Sequence, residues 1–348
     1  MKIKPKIKKI LSHPFADFVY IAIFLLLILL LSYVKVFKSS TLIIFYFVIM
    51  YTIISIGLNV LLGYSGLISL GTAGFVGLGA YMTGLLMETL KLSYITTLFL
   101  SMIIPVVLGI ILGLVTLRMD GIFLAIATLG IAEIFRKTFE EFINFTGGFS
   151  GLRISRKITI FYAVPLDRYS KYLLAVFILL LIMMLIYNLV NSKIGRAFLT
   201  MKISEPAARA MGINIFKYRL YAFALSTALA SLGGFLYMTF LEYNSPEPWN
   251  LNMSLTILTI VVIGGLKSLR GTFFGALIIY GIPELILKKI PVIGQKAGVA
   301  YTFSGLLIII ILLFYPKGVV NIPSSIREII KKIKAKRNNH ENQLDQQN

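Results

Sequence analysis

Cysteine is absent from the 348 residues, so the chain can build no disulfide, iron–sulfur cluster or thiolate metal site, and its redox compartment leaves no mark on the sequence. Histidine is scarce: His13 and His340 lie in the terminal regions. No histidine–metal spacing and no close pair of carboxylates marks a catalytic centre, so neither enzyme chemistry nor a metal is expected. No G-x-x-x-x-G-K-[ST] run occurs either, and the chain itself should not hydrolyse ATP. The glycine-rich stretch Thr146 to Leu152 lacks the lysine and the strand-to-helix setting of a phosphate-binding loop, and reads as a flexible connection. Acidic residues are few, 14 against 34 Lys and Arg.

What is abundant is apolar. With 58% hydrophobic residues, 14% charged and a mean hydropathy of +0.88, the chain carries more apolar surface than any soluble core needs. The class is a polytopic all-α transmembrane bundle. A net charge of +20 suits nucleic acid in principle, but the bases cluster in loops and tails beside apolar runs. Membrane topology explains that placement, so a lipid bilayer is the expected surroundings and no nucleic acid is expected.

Ten apolar segments follow one another at about 18–34, 41–62, 66–87, 93–117, 121–143, 171–190, 219–241, 250–266, 271–287 and 298–315. The start MKIKPKIKKI resembles a secretory leader, yet no small-x-small cleavage site follows and Lys35 and Lys38 come next, which favours a retained first span. The chain then divides into a basic N-terminal segment 1–17, a first transmembrane half 18–190, a polar loop 191–218, a second half 219–315 and a basic tail 316–348. With both termini in the cytoplasm, 21 of the 34 bases fall inside, as the positive-inside rule favours.

The central polar island, residues 191–219, holds six Lys or Arg against one acid, Glu205. Ser204-Glu205-Pro206 reads as a helix start, with Ser as cap, Pro tolerated in the first turn and Glu placed where the helix dipole favours it. Gly212 supplies the stop, and a second helix begins near Ile215. Two readings compete: an ordinary polar connection between spans, or a docking helix for a soluble partner.

Two glycine-rich segments stand out among the spans. Gly63 to Gly74, continuing to Gly77 and Gly79, reads either as a small-residue packing seam or as a broken helix with Ser65 and Ser69 on a substrate path. Gly264 to Gly275 echoes it weakly. Glu133 lies twelve residues beyond Gly121, about 18 Å along a helix. A carboxylate at that depth needs a partner, and Arg136 and Lys137 follow one turn on. The functional alternative has Glu133 and Thr128 facing a translocation cavity.

The order Gly195-Arg196-Ala197, then Glu205 with Ala207-Ala208, then Gly212-Ile213-Asn214 resembles the cytoplasmic loop of ABC-importer permeases, whose pattern is Glu-Ala-Ala followed by Gly. Pro206 stands where the first Ala would be. Further blocks occur in family order: Asn59 to Gly79, Ala125 to Gly130 ending at Glu133, Thr146 to Leu152, Val262 to Gly271, and Phe314 to Gly318. Together they are similar to the permeases of branched-chain amino-acid ABC importers, of the LivM type.

That resemblance implies a helical permease of the vitamin-B12-importer (type II) kind in a bacterial or archaeal cytoplasmic membrane, without cofactor. It implies that Gly195, Arg196, Glu205, Pro206, Ala207, Ala208 and Gly212 couple the spans to an ATPase subunit. The implied assembly has two ABC ATPase subunits, a LivH-type sister permease and an extracytoplasmic amino-acid-binding protein, with ATP driving alternating access. Urea and short-amide permeases share much of this motif set. The rival from another class is a secondary carrier or channel, in which Glu133 would serve an ion relay and the polar island would have no task.

Overall fold

The computed structural model describes residues 16–160 and 164–285, with Thr302, Gly305, Leu306 and Ile309. The basic start, most of the tenth expected span, the basic tail and both histidines lie outside the described residues. The apolar runs form helices because a helix satisfies every backbone donor within its own segment, which hydrocarbon surroundings demand.

In chain order they are α1 (Ala16–Tyr33), α2 (Ser39–Leu58, extended by a π-helical turn Asn59–Tyr64), α3 (Thr72–Glu88), α4 (Tyr94–Thr116), α5 (Ile122–Glu141) and α6 (Arg168–Val190). The polar island supplies α7 (Lys193–Ile203) and α8 (Glu205–Ala210). Then come α9 (Ile215–Leu241), α10 (Leu251–Gly264) and α11 (Leu269–Ala276), the last continuing through a π-turn at Leu277–Gly281 to Leu285. Two-residue strands β1 (Leu152–Arg153) and β2 (Tyr243–Asn244) pair antiparallel.

Four of these helices, 39–64, 94–116, 168–190 and 215–241, are long and apolar enough to cross a membrane, and α1 and α10 are shorter apolar helices. The segment expected to start at 66 becomes helical only at Thr72, because Ser65 to Gly71 is not helical. The segment expected over 271–287 is interrupted by its π-turn.

Side-chain oxygens close the exposed helix starts. Asp167 accepts from Ser170 N at 3.0 Å, Asn214 from Lys217 N at 3.0 Å, and Ser268 from Gly271 N at 3.1 Å. Each satisfies an amide that the helix leaves without a partner.

The centre of the bundle is the contact of α3 and α9 with α2 beside them. Here small residues let backbones touch, which is how apolar helices gain contact when lipid competes equally for their side chains. A methyl group added at Gly79 would sit 2.6 Å from Ser231 Cα, and one at Gly234 would sit 2.6 Å from Ala80 N.

Hydrogen bonds gather the connections at two ends. At one end, Asn59 and Tyr64 hold the 267–268 turn, Lys202 holds the end of the α2 extension, Arg219 holds the 117–120 turn, and Arg270 pairs with Asp17 at 2.9 Å. At the other end, Ser155 N donates to Glu88, Tyr94 N donates to Thr159 O at 2.9 Å, Lys171 pairs with Glu242, and β1 lies on β2. Among the described residues, each of these bonds joins junctions that the sequence reading assigns to one and the same side.

Candidate functional site

The polar island folds from local signals. Ser204 Oγ accepts from Ala207 N at 3.3 Å and Pro206 occupies the first turn of α8. Gly212, at φ +77° with nothing within 4 Å of an added Cβ, is required for its conformation rather than for space. Its N–H donates to Arg209 O, while Ile213 N returns to Ala208 O at 3.0 Å and closes the helix end.

Glu205 turns its carboxylate inward onto Arg219, in the second turn of α9. The same guanidinium forms an ion pair with Asp120 at 2.7 Å and donates to the Leu117 carbonyl at 3.1 Å, and only 10% of its side chain is exposed. A planar fork of five donors suits this, since it can hold several fixed acceptors at once. Arg219 thereby ties α8, α9 and the α4–α5 turn together.

Lys202 makes a second tie. Its Nζ donates to the carbonyls of Leu62 at 3.0 Å and Gly63 at 2.8 Å, which end the α2 extension. An ammonium is favoured at such a helix end, where carbonyls are left over. Burial pulls the Lys202 pKa below its ordinary value, and the nearby Lys267 charge acts in the same direction. Alongside, Asn59 accepts from Lys267 N at 2.9 Å and donates to Ser268 O at 3.2 Å, and Tyr64 donates to Lys267 O at 2.8 Å. The two glycine-rich segments picked out in the sequence therefore meet, through side chains of the first and backbone of the second.

Of the residues expected to couple, Ala208 is fully buried and Gly195 is packed on Val190, so both face into this chain. Arg196 is exposed, with one long bond to Asn191 O at 3.4 Å. Pro206 and Ala207 are exposed, and flanking them Ile203 and Met211 present 82% and 72% of their surface. Two large apolar side chains are thus exposed at either end of α8, within the polar island.

The residues expected on a substrate path divide. Thr128 is buried; its Oγ1 accepts from Leu70 N at 3.0 Å and donates to Ala125 O at 3.0 Å. Ser69 Oγ accepts from Gly71 N at 3.3 Å, and Ser65 Oγ donates to Leu61 O. Ser69 and Thr128 thus both hold the non-helical segment. Glu133 is separate, with half its side chain exposed and its carboxylate on Arg136, which also holds the buried Glu140; Lys137 pairs with Glu140 at 2.7 Å rather than with Glu133.

Sequence reasoning counted Arg219 and Lys202 only as two of six positive charges, and it passed over Asp120 and Asn59. One local signal was present for Arg219: a cation near a helix N-terminus opposes the dipole and calls for an anionic partner.

The sequence profile of a family described as "Branched-chain amino acid transport system / permease component" matches residues 40–312. The high-affinity branched-chain amino acid transport system permease protein LivM of Salmonella typhimurium is 32% identical over 259 residues, which cover 68% of this chain and 61% of that protein. The probable LivM permease of Methanocaldococcus jannaschii is 22% identical over 313 residues, 78% of this chain and 90% of that one. The probable LivH permease of the same organism is 31% identical over 112 residues, about a third of each chain. The chain spans about three fifths of the length of the enterobacterial relative. No solved structure matches it. A family match over more than three quarters of the chain, together with the helical build and its several apolar helices, places this chain in the branched-chain amino acid transport system permease family.

Proposed function

We propose that the chain is one of two permease subunits of an ATP-driven importer that moves branched-chain amino acids across a cytoplasmic membrane by alternating access. It would pair with a LivH-type sister permease, two ATPase subunits and an external amino-acid-binding protein. The architecture would be of the vitamin-B12-importer kind with about ten spans, and the end bearing α7 and α8 would face the cytoplasm.

The observation that carries this reading is the form of α8. Exposed apolar residues, Ile203 and Met211, flank it at its two ends, and Glu205 ties it through Arg219 to α9 and the α4–α5 turn. A connection with no partner has no need of exposed apolar residues at its tip. A knob seated in an ATPase groove, with a rigid tie to two membrane helices, converts closure of the ATPase pair into movement of the spans. In this reading Pro206 and Ala207 belong to the seated face, Glu205 and Ala208 to the tie beneath it, and Gly212 to the turn that sets its angle; Gly195 and Arg196 set where α7 leaves α6.

The test is a photo-reactive side chain at Met211 in the assembled transporter. It should capture the nucleotide-hydrolysing subunit, whereas one at Ile103, on the apolar outer face of α4, should not. Absence of any ATPase adduct from Met211 removes the coupling role.

Orientation has its own check. Because the chain has no cysteine, Ser150→Cys introduces a single thiol at an exposed position. Intact cells should label it with a membrane-impermeant reagent; labelling only after permeabilisation reverses the sidedness.

A further inference from the structure

Two helices begin side by side at the end of the bundle that carries the polar island. Asp17 stands at the start of α1 and Arg270 at the start of α11, and the two side chains pair at 2.9 Å. From each, apolar residues follow three, four and seven places on: Tyr20, Ile21 and Phe24 from Asp17, and Phe273, Phe274 and Leu277 from Arg270. That spacing puts each set on one helix face. Phe24 meets Phe273 edge-on with ring centroids 6.3 Å apart, so both stripes run the same way from the ion pair.

Between the stripes lies a groove of about 330 Å³. Ile21 and Phe273 are buried and form its floor, while Tyr20, Phe24 and Phe274 stand exposed as its walls. Beyond the ion pair a second hollow, of about 440 Å³, shares Asp17 and Arg270 with the groove and is bordered by Lys267 and Ser268. Lys267 is exposed, and its ammonium has no ion-pair partner among the described residues. Its φ of +66° is costly for a residue with a Cβ, and is held because Asn59 accepts from its N–H and Tyr64 donates to its carbonyl. The turn thereby fixes the backbone of an unpaired cation at the edge of the hollow. Among the described lining residues two bases face one acid, an excess of one positive charge.

A ligand that fills both hollows joins an anionic group to a long apolar body. Phe24 and Leu277 lie seven residues beyond the charged pair, about 10 Å deeper along a helix. With the ion pair at the level of the lipid head groups, that depth is hydrocarbon. Inorganic phosphate would use the polar hollow alone, and an uncharged hydrocarbon the groove alone.

We infer that the joined hollows bind an anionic phospholipid from the leaflet on the α8 side, its phosphate between Lys267 and Arg270 and one acyl chain along Phe24, Phe274 and Leu277. In the orientation proposed above that leaflet is the cytoplasmic one. The site itself does not depend on the importer reading.

The experiment places the full chain in vesicles of phosphatidylcholine and phosphatidylglycerol, with one or the other lipid brominated on its acyl chains. Trp249→Phe removes the single native tryptophan, and Phe24→Trp or Phe274→Trp sets a reporter in one wall or the other. Brominated phosphatidylglycerol should quench either reporter with an apparent affinity about fivefold above that of brominated phosphatidylcholine, as one unit charge near a membrane surface gives. Lys267→Gln or Arg270→Gln should bring the two lipids to parity. Asp17→Asn should raise the preference about fivefold further. Ile103→Trp, on the apolar outer face of α4, should report no preference. If loss of Arg270 keeps the chain out of the membrane, Lys267→Gln and Asp17→Asn carry the test, since they shift the ratio in opposite directions. Inorganic phosphate at the concentration of the lipid should not displace it.

Equal quenching by both lipids at both walls, a preference that survives the glutamine variants, or the same preference at Ile103 overturns the site. Displacement by inorganic phosphate overturns the lipid as its ligand. Protection of both reporters from either lipid does so as well, since the groove is then filled by protein.

Discussion

If the chain works in the importer proposed above, replacing Arg219 by alanine should lower solute uptake at least about tenfold while the protein remains in the membrane and ATP hydrolysis by the proposed partner subunits continues. The guanidinium holds Glu205, Asp120 and the Leu117 carbonyl at once. Without it, α8 loses its side-chain tie to α9 and the α4–α5 turn, and in the proposed importer α8 would then move without carrying the spans. Destabilisation should be modest. Glu205 and Asp120 have 36% and 73% of their side chains exposed, so water takes over once the arginine is gone. A cost of about 1–3 kcal/mol is expected, below that of stranding a buried charge. Arg219→Lys keeps the charge but replaces a planar fork with a point donor, and should fall between. The measurement is ATPase rate and uptake on the same reconstituted complex. Both rates at wild-type values would show that the tie is dispensable.

The other large effect concerns folding. Gly234→Val should reduce the folded protein recovered from membranes by more than about tenfold, because it drives a branched side chain into backbone rather than into a yielding side chain. An added Cβ there lies against the Val76 carbonyl and 2.6 Å from Ala80 N. Neither can give way without parting α9 from α3. Overpacking usually costs about 1–3 kcal/mol, and a backbone obstacle belongs at the upper end or beyond. Gly130→Ala is the matched control. It lies within α5 with nothing within 4 Å of the added methyl, and should be neutral or gain about 0.5–1 kcal/mol. Thermal unfolding in detergent compares the two; equal melting behaviour would mean that the α3–α9 contact does not limit stability.

How much of this was legible follows from the range of each interaction. The cap at Ser204, the stop at Gly212 and the new helix after Asn214 depend on neighbours within a few residues, and the sequence discloses them. The Gly63 to Gly74 stretch offered a seam or a break, and both occur in succession: Ser65 to Gly71 is not helical, while Gly74, Gly77 and Gly79 pack closely in α3. Periodicity alone has no means to divide that stretch, because glycine serves both ends equally well. The ties by Lys202 to Leu62 and Gly63, by Arg219 to Leu117, and by Asn59 to Ser268 bridge 140 and 139, 102 and 209 positions. No local pattern encodes such partners.

The beginning of α3 is fastened by neighbours' hydroxyl groups. Leu70 N rests on Thr128 of α5, and Ala73 N rests on Ser254 of α10 at 3.0 Å. A continuous helix resists displacement along its whole ladder, but here the ladder has a gap and two outside supports bridge it. A small slide of α5 or α10 would therefore drag the first turn of α3 along while the remainder stays clamped against α9. The molecule thus contains a joint that two hydrogen bonds from other helices help to brace.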